Sequence, residues 1–197
     1  MVSMSHPLDS TLGPMAPFVS QLLAELAATG VTISQPTVDH LCYRAATLQE
    51  YRALCAVLAE AGTLLVEGMI GGRPIATYQL HQLLLAGEVQ VPCIELAAPK
   101  PGRVHQAGLE HIELVVTSLQ DLVARYPELP FKTGNMQDTR NPDIGLMLPS
   151  GQIKFHLRPL AEVIAEEVAT GAVVAVPADY FDQECSCSKC GASLTGS

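Results

Sequence analysis

The sequence predicts an α+β fold of two tandem βαβββ modules, whose curved mixed sheets enclose a shared cleft flanked by N- and C-terminal helices. Three observations predict it. Asp39-His40-Leu41-Cys42-Tyr43-Arg44 and Glu110-His111-Ile112-Glu113-Leu114-Val115 each place an acidic residue and a histidine at the head of an apolar, strand-like run. Each run is followed by a hydroxyl residue that opens a helix, Thr47 before Leu48-Gln49-Glu50 and Ser118 before Leu119-Gln120-Asp121. Strand, helix and three further strands then follow in the same order twice, in a shorter span the second time.

Residues 1–35 form a leader and a helix. Pro7, Gly13 and Pro14 punctuate a polar start that is expected to be loose. Phe18, Val19, Leu22, Leu23 and Leu26 recur at helical spacing, so a helix is expected from Ala16 to Ala28, with Gly30 placed to end it. The first module spans 36–101. Its strand runs from Val38 to Arg44, and Thr47 with Glu50 makes a capping box for the next helix. Tyr51, Leu54, Cys55 and Leu58 share that helix's apolar face, and Gly62 closes it. Leu64–Met69, Ile75–Leu80 and Val91–Leu96 are the remaining strands, and Gly71-Gly72 reads as a hairpin turn between the first two.

The second module spans 102–159. A strand covers Glu110–Val116 and a helix covers Leu119–Tyr126, broken by Pro127 and Pro130. Shorter strands are expected at Phe131–Thr133, Ile144–Leu148 and Gln152–Leu157. Residues 160–197 supply a C-terminal helix over Leu160–Ala169, with Leu160, Val163, Ile164 and Val168 on one side. An apolar run to Pro177 follows, then a short cysteine-bearing tail that is expected to be mobile unless something ties it down.

Composition narrows the function. With 48% apolar residues the chain can bury a sizeable core. Only 5% are aromatic and there is no Trp, which argues against base-stacking platforms. A net charge of −9 argues against a nucleic-acid surface. No apolar run is long enough to span a membrane, and no basic segment leads into an apolar stretch at the N-terminus, so no secretory signal is expected. The expectation is a cytoplasmic protein with a small-molecule substrate, a homodimer being compatible with the sequence. Cys42, Cys55 and Cys93 read as small buried hydrophobes. Cys185-x-Cys187-x-x-Cys190 resembles half of a zinc site; it either finds a fourth ligand elsewhere or is a terminus with reactive thiols.

Alternation along the strands puts His40, Cys42 and Arg44 on one face, and His111, Glu113 and Val115 on one face. It sends Asp39 and Glu110 to the opposite faces, making them poor candidates to orient the neighbouring rings. Glu95, between Ile94 and Leu96, is turned either to water or to a ligand. Lys154 and His156 share a face of the last strand. Two histidines and a carboxylate suit Zn, Fe, Mn, Ni or Co. Glu113 has two readings, a metal ligand or a solvated strand position. Arg73, beside the paired glycines, is either a surface charge or a guanidinium that clamps a carboxylate or phosphate. Arg44 is a second candidate for that role. Gln79 and His81 share a strand face that could line the cavity.

This order of elements, with His, Glu and His at these places, resembles the vicinal oxygen chelate superfamily, the fold of glyoxalase and the extradiol dioxygenases. Within it the chain is similar to the YecM family. The resemblance is carried by Asp39-His40, Met69-Ile70-Gly71-Gly72-Arg73-Pro74-Ile75, Ile94-Glu95-Leu96, Glu110-His111-Ile112-Glu113, Asn141-Pro142 and Ile153-Lys154-Phe155-His156. It covers about residues 15 to 170 and omits the tail. It implies metal ligands at His40, Glu95 and His111. The fourth ligand position falls on Lys154, and a protonated lysine cannot ligate a metal. Either His156 takes that place or the site has three protein ligands, leaving positions open for substrate oxygens. Lys154 would then be a cation able to hold an anionic group. The expected function is a metal-dependent enzyme of isomerase, lyase or dioxygenase type. It would act on a small, oxygen-rich, anionic substrate chelated to the metal, with Glu113 as base. The alternative is a non-catalytic binding protein that uses the same cavity.

Overall fold

The computed structural model describes residues 5–33 and 35–182. The elements in chain order are α1 (Asp9–Leu12), α2 (Met15–Ala28), β1 (Thr37–Arg44), α3 (Leu48–Ala61), β2 (Gly62–Ile70), β3 (Arg73–Ala86), β4 (Val89–Ala97), β5 (Gly108–Val115), α4 (Leu119–Arg125), β6 (Asp143–Leu148), β7 (Gly151–His156) and α5 (Leu160–Thr170). All seven strands join one sheet, in the order β2-β3-β4-β1-β5-β7-β6. β1 lies parallel to β4 and antiparallel to β5, and β5 lies parallel to β7. The strands that carry His40 and His111 are therefore neighbours, and the seam between the modules runs through the candidate site.

The two faces of the sheet differ sharply. Leu41, Tyr43, Ile94, Leu96, Ile112, Leu114, Ile153 and Phe155 are buried on one of them. Met15, Val19, Leu22 and Leu26 of α2 cover it together with Leu48, Tyr51, Leu54 and Leu58 of α3. Fully burying each such side chain contributes about 1.5–3 kcal/mol, which makes this layer the main stabilising core. The opposite face keeps a small apolar patch of Cys42, Ile75 and Ala97 and is otherwise polar. α5 packs over that polar face along β2.

Local signals set the boundaries. Thr47 Oγ1 accepts from the Glu50 amide at 3.0 Å, while Glu50 Oε2 accepts from the Ala46 amide at 2.7 Å. Ser118 Oγ accepts from the Asp121 amide at 3.1 Å. Gly71 and Gly72 have φ of +59° and +81°, the left-handed pair that a two-residue hairpin turn requires.

Three expectations are corrected. From residue 5 on, the described part of the expected leader is not loose, because Leu8 at the start of α1 and Leu12 at its end are buried and His6 Nε2 lies 3.0 Å from the Gln82 carbonyl. In the second module, the strand expected at 131–133 is reduced to a single bridge from Lys132 to Gly145. Pro127 and Pro130 remove backbone donors just before it, so no ladder grows there. The C-terminal packing also extends beyond Pro177, since Phe181 stacks on Tyr51 with ring centroids 6.1 Å apart. Cys185, Cys187 and Cys190 lie outside the described residues. No helix among the described residues is long and apolar enough to cross a membrane.

Candidate metal centre

The acids that precede the two histidines are both β-bulges. On β1, Val38 pairs with Leu114 and His40 with Glu113, which leaves Asp39 as an extra residue. On β5, His111 pairs with Cys42 and Leu109 with Tyr43, which leaves Glu110 as the extra one. A bulge frees its residue from strict alternation. Asp39 is therefore not turned away from its neighbour, as alternation predicts: its Oδ2 lies 2.9 Å from His40 Nδ1. Glu110 Oε1 lies 3.6 Å from His111 Nδ1. A carboxylate on Nδ1 leaves the Nε2 lone pair of His40 free to face the cavity.

Beyond the bulges the strands bring one row of side chains together. Thr77, Glu95, Cys42, His111 and Gln152 pair across β3, β4, β1, β5 and β7, and His40, Glu113 and Lys154 form the adjacent row. Glu95 faces inward, with its carboxylate oxygens 4.0 Å from both His40 Nε2 and His111 Nε2. Both of these nitrogens are buried and have no hydrogen-bond partner. Leaving a buried polar atom unpaired costs about 1–3 kcal/mol. Donor atoms of His40, Glu95 and His111 all lie within 4.8 Å of one another. Two orphaned imidazole nitrogens and a carboxylate at this spacing fit a divalent transition metal.

Glu113 is a buried carboxylate, not a solvated strand position. Its Oε1 accepts from Lys154 Nζ at 2.8 Å and lies 3.5 and 3.3 Å from the Nε2 atoms of His40 and His111. Burial acts to raise its pKa, but His40, Lys154 and His111 outweigh that and hold it well below the usual carboxylate range. Burial likewise acts to lower Lys154, and Glu113 and Glu95 outweigh it, so the ammonium stays above its ordinary value. Lys154 thus pairs with Glu113. His156 stands outside the group of three, with Nε2 3.7 Å from Asp39 and Nδ1 3.7 Å from Glu113. Burial lowers its pKa and keeps it neutral. Cys42 is fully buried between Glu95 and His111 in the row, and desolvation together with Glu95 holds its thiol well above the usual range. It remains a protonated thiol, not a competing ligand.

Burial acts to lower His40 too, yet Glu113, Asp39 and Glu95 push it up to about 10. That value lies above the ordinary 6.5. The protonated ring therefore stabilises the metal-free fold fully below the ordinary value, and this contribution is lost as pH rises through about 10. A metal needs the same nitrogen deprotonated. Metal affinity is expected to rise about tenfold per pH unit from roughly pH 6 to 9, measured by competition with a chromophoric chelator. Affinity that does not change over that range would overturn the raised pKa of His40.

His40, Glu95, His111, Glu113 and Lys154 floor a cavity of about 620 Å³. Arg44 and Arg73 line it, as do Val163 and Ile164 of α5 and the segment 172–174. Arg44 Nε and Nη2 donate to the two carboxylate oxygens of Glu110. Gln79 and His81, in contrast, are exposed and outside the cavity, with His81 Nε2 3.2 Å from Thr63 Oγ1. Sequence reasoning missed the roof. α5 has no cap from its own neighbours; Asp39 Oδ2 accepts from the Leu160 amide at 2.9 Å instead. One buried carboxylate therefore holds both the start of the roof helix and the ring of His40. The Met69 amide donates to the Val174 carbonyl at 2.8 Å, which fastens the segment after α5 to β2.

A family model described as YecM protein matches residues 8–141. The chain belongs to the YecM family. It is 30% identical over 157 residues to Protein YecM of Escherichia coli (strain K12), a match that covers 70% of this chain and 82% of that protein. An uncharacterized protein of Haemophilus influenzae is 25% identical over 119 residues, covering 60% of this chain and 62% of its own length. The solved structure described as Structural Genomics, Protein EC4020 superimposes with a TM-score of 0.67 at 26% identity, over 85% of this chain and all of that one. His40, Glu95, His111 and Glu113 lie within the span matched to the YecM family, whereas Lys154, His156 and α5 lie beyond it.

Proposed function

We propose that this YecM-family protein is a metal-dependent enzyme of isomerase, lyase or dioxygenase type, acting on a small, oxygen-rich, anionic molecule. The observation that supports this reading best is the meeting of two buried, unpartnered imidazole nitrogens with Glu95 at the floor of the cavity. Bound there, a divalent metal would supply Lewis acidity to two neighbouring substrate oxygens, three protein ligands leaving positions open for them. The chain's own residues would do the rest. Asp39 holds the ring of His40 in place. Glu113, ionised beside the cluster, would accept a proton from substrate. Lys154 would keep Glu113 charged and offer its remaining N–H groups to an anionic oxygen. The roof formed by α5 and 172–174 would exclude water.

The Lys154–Glu113 pair also favours a second reading. A carboxylate held well below its usual range is a weak proton acceptor, which suits a protein that binds without turnover. The test is to incubate metal-loaded protein with small 2-oxo acids in heavy water, following deuterium at the carbon beside the carbonyl by NMR and oxygen uptake by electrode. Glu113→Gln is expected to lose about 100-fold or more in rate while keeping its metal. Full activity in that variant would remove Glu113 as base; saturable binding with no turnover would favour the second reading.

A further inference from the structure

The cavity has a second pole. The chain has a net charge of −9 and only 11 lysines and arginines, yet Arg44, Arg73, Lys100, Arg140 and Lys154 all line this one space. Lys154 is paired with Glu113 and Arg44 with Glu110. Arg140 is exposed. Arg73 and Lys100 have no carboxylate partner among the described residues, and Arg73 Nε is buried without a hydrogen bond.

The backbone holds these two cations together. Arg73 pairs with Ile70 to close the Gly71-Gly72 turn, which fixes the base of its side chain. The Ala98 amide donates to the Pro74 carbonyl at 3.0 Å, so the segment leading to Lys100 leaves β4 beside Arg73. Arg44, Ala97 and Ile75 pair across the strands in the row just below. Burial and then Arg44 lower Arg73, against the opposing pull of Glu95 and Glu110, and Arg73 is the main cause that lowers Lys100, against Glu110. Like charges crowded at a partly buried place are unfavourable until an anion joins them. A planar guanidinium beside an ammonium matches a carboxylate or phosphate group.

This pole is separated from the metal cluster. Arg44 lies two residues along β1 from Cys42, about 7 Å, and Arg73 and Lys100 lie beyond it. Ile75, in the same row as Arg44, lies between the poles, and Met69, Ile70, Val163 and Ile164 add apolar surface to the lining of the same cavity.

We infer that Arg73 and Lys100 form an anion subsite, and that the ligand of this cavity carries a terminal carboxylate or phosphate on a short spacer, with its chelating oxygens at the other end. This rests on the reading of the same cavity as a metal-assisted substrate site.

The test uses the full chain loaded with Mn²⁺, titrated calorimetrically with two matched pairs. One pair is 2-oxoglutarate against 2-oxopentanoate, and the other is 3-phosphoglycerate against glycerate. At least one two-headed member is expected to bind roughly tenfold or more tighter than its truncated partner, and which pair shows the gap tells carboxylate from phosphate. That gap is expected to vanish in Arg73→Gln/Lys100→Gln and to return in part in Arg73→Lys. Equal affinities within both pairs, or a gap that survives the double substitution, would overturn the subsite. Uptake of Mn²⁺ by each variant is measured alongside. If wild type takes up no Mn²⁺, the metal reading fails separately; inorganic phosphate and succinate titrated into the metal-free protein then decide the subsite, and its failure is equal binding by wild type and the double variant.

Discussion

Purified without a metal-affinity tag, the wild-type chain is expected to carry about one divalent metal ion, and His111→Ala almost none. The neighbours are poorly placed to fill the gap: the nearest carboxylate, Glu113, already accepts from Lys154 at 2.8 Å. Lys154 is an ammonium committed to Glu113, Cys42 is a buried thiol held protonated, and His156 stands behind, between Asp39 and Glu113. Losing a partner that only orients a metal ligand costs about 10–100-fold in affinity, so loss of a ligand should exceed 100-fold. Elemental analysis of the full chain and of a chain ending at Asp182 separates this site from the three tail cysteines. Ending there keeps Phe181, which packs on Tyr51 and beneath the Arg52 guanidinium. Metal that disappears with the tail, or full occupancy in His111→Ala, would move the chemistry away from His40, Glu95 and His111.

Asp39→Ala is expected to weaken metal binding by about 10–100-fold and to destabilise the fold by about 2–4 kcal/mol. The side chain is only 5% exposed and accepts two hydrogen bonds, from His40 Nδ1 and from the Leu160 amide. Its removal leaves a buried ring free to turn and a helix without a cap, because α5 has none of its own. Two readouts follow: urea unfolding for stability, and amide hydrogen exchange across 160–170 for fraying of the roof. Asp39→Asn separates geometry from charge, since one amide oxygen can still accept both bonds, and it should recover most of the stability. Loss of stability in Asp39→Ala with unchanged metal affinity would leave Asp39 as a helix cap alone.

Much of this arrangement was legible in the chain. Period-two runs located β1, β4, β5 and β7, capping residues located α3 and α4, and the repeated histidine named both strands of the seam. Glu95 was legible as a choice between water and a ligand, because a carboxylate between Ile94 and Leu96 must face away from the core that they enter. The role of Asp39 and Glu110 was not. Alternation sends each to the face that Leu41 or Ile112 buries, where a carboxylate would be costly. That conflict, repeated at both histidines, was the available signal for the two bulges. Gln79 and His81 show the opposite error: they share a strand face, but lie beyond the reach of the cavity.

What the sequence alone determined is the class of fold, the order of its elements and the residue types able to hold a metal, since capping and alternation depend on near neighbours in the chain. Tertiary structure decided which atoms meet. Only the antiparallel pairing of β1 with β5 makes one sheet from two modules, sets His40 opposite Glu113 and leaves Asp39 and Glu110 as extra residues. Only the return of α5 over that sheet brings the Leu160 amide to Asp39. Register and closure of this kind are fixed by contacts between residues far apart in the chain, and a local pattern carries no information about them.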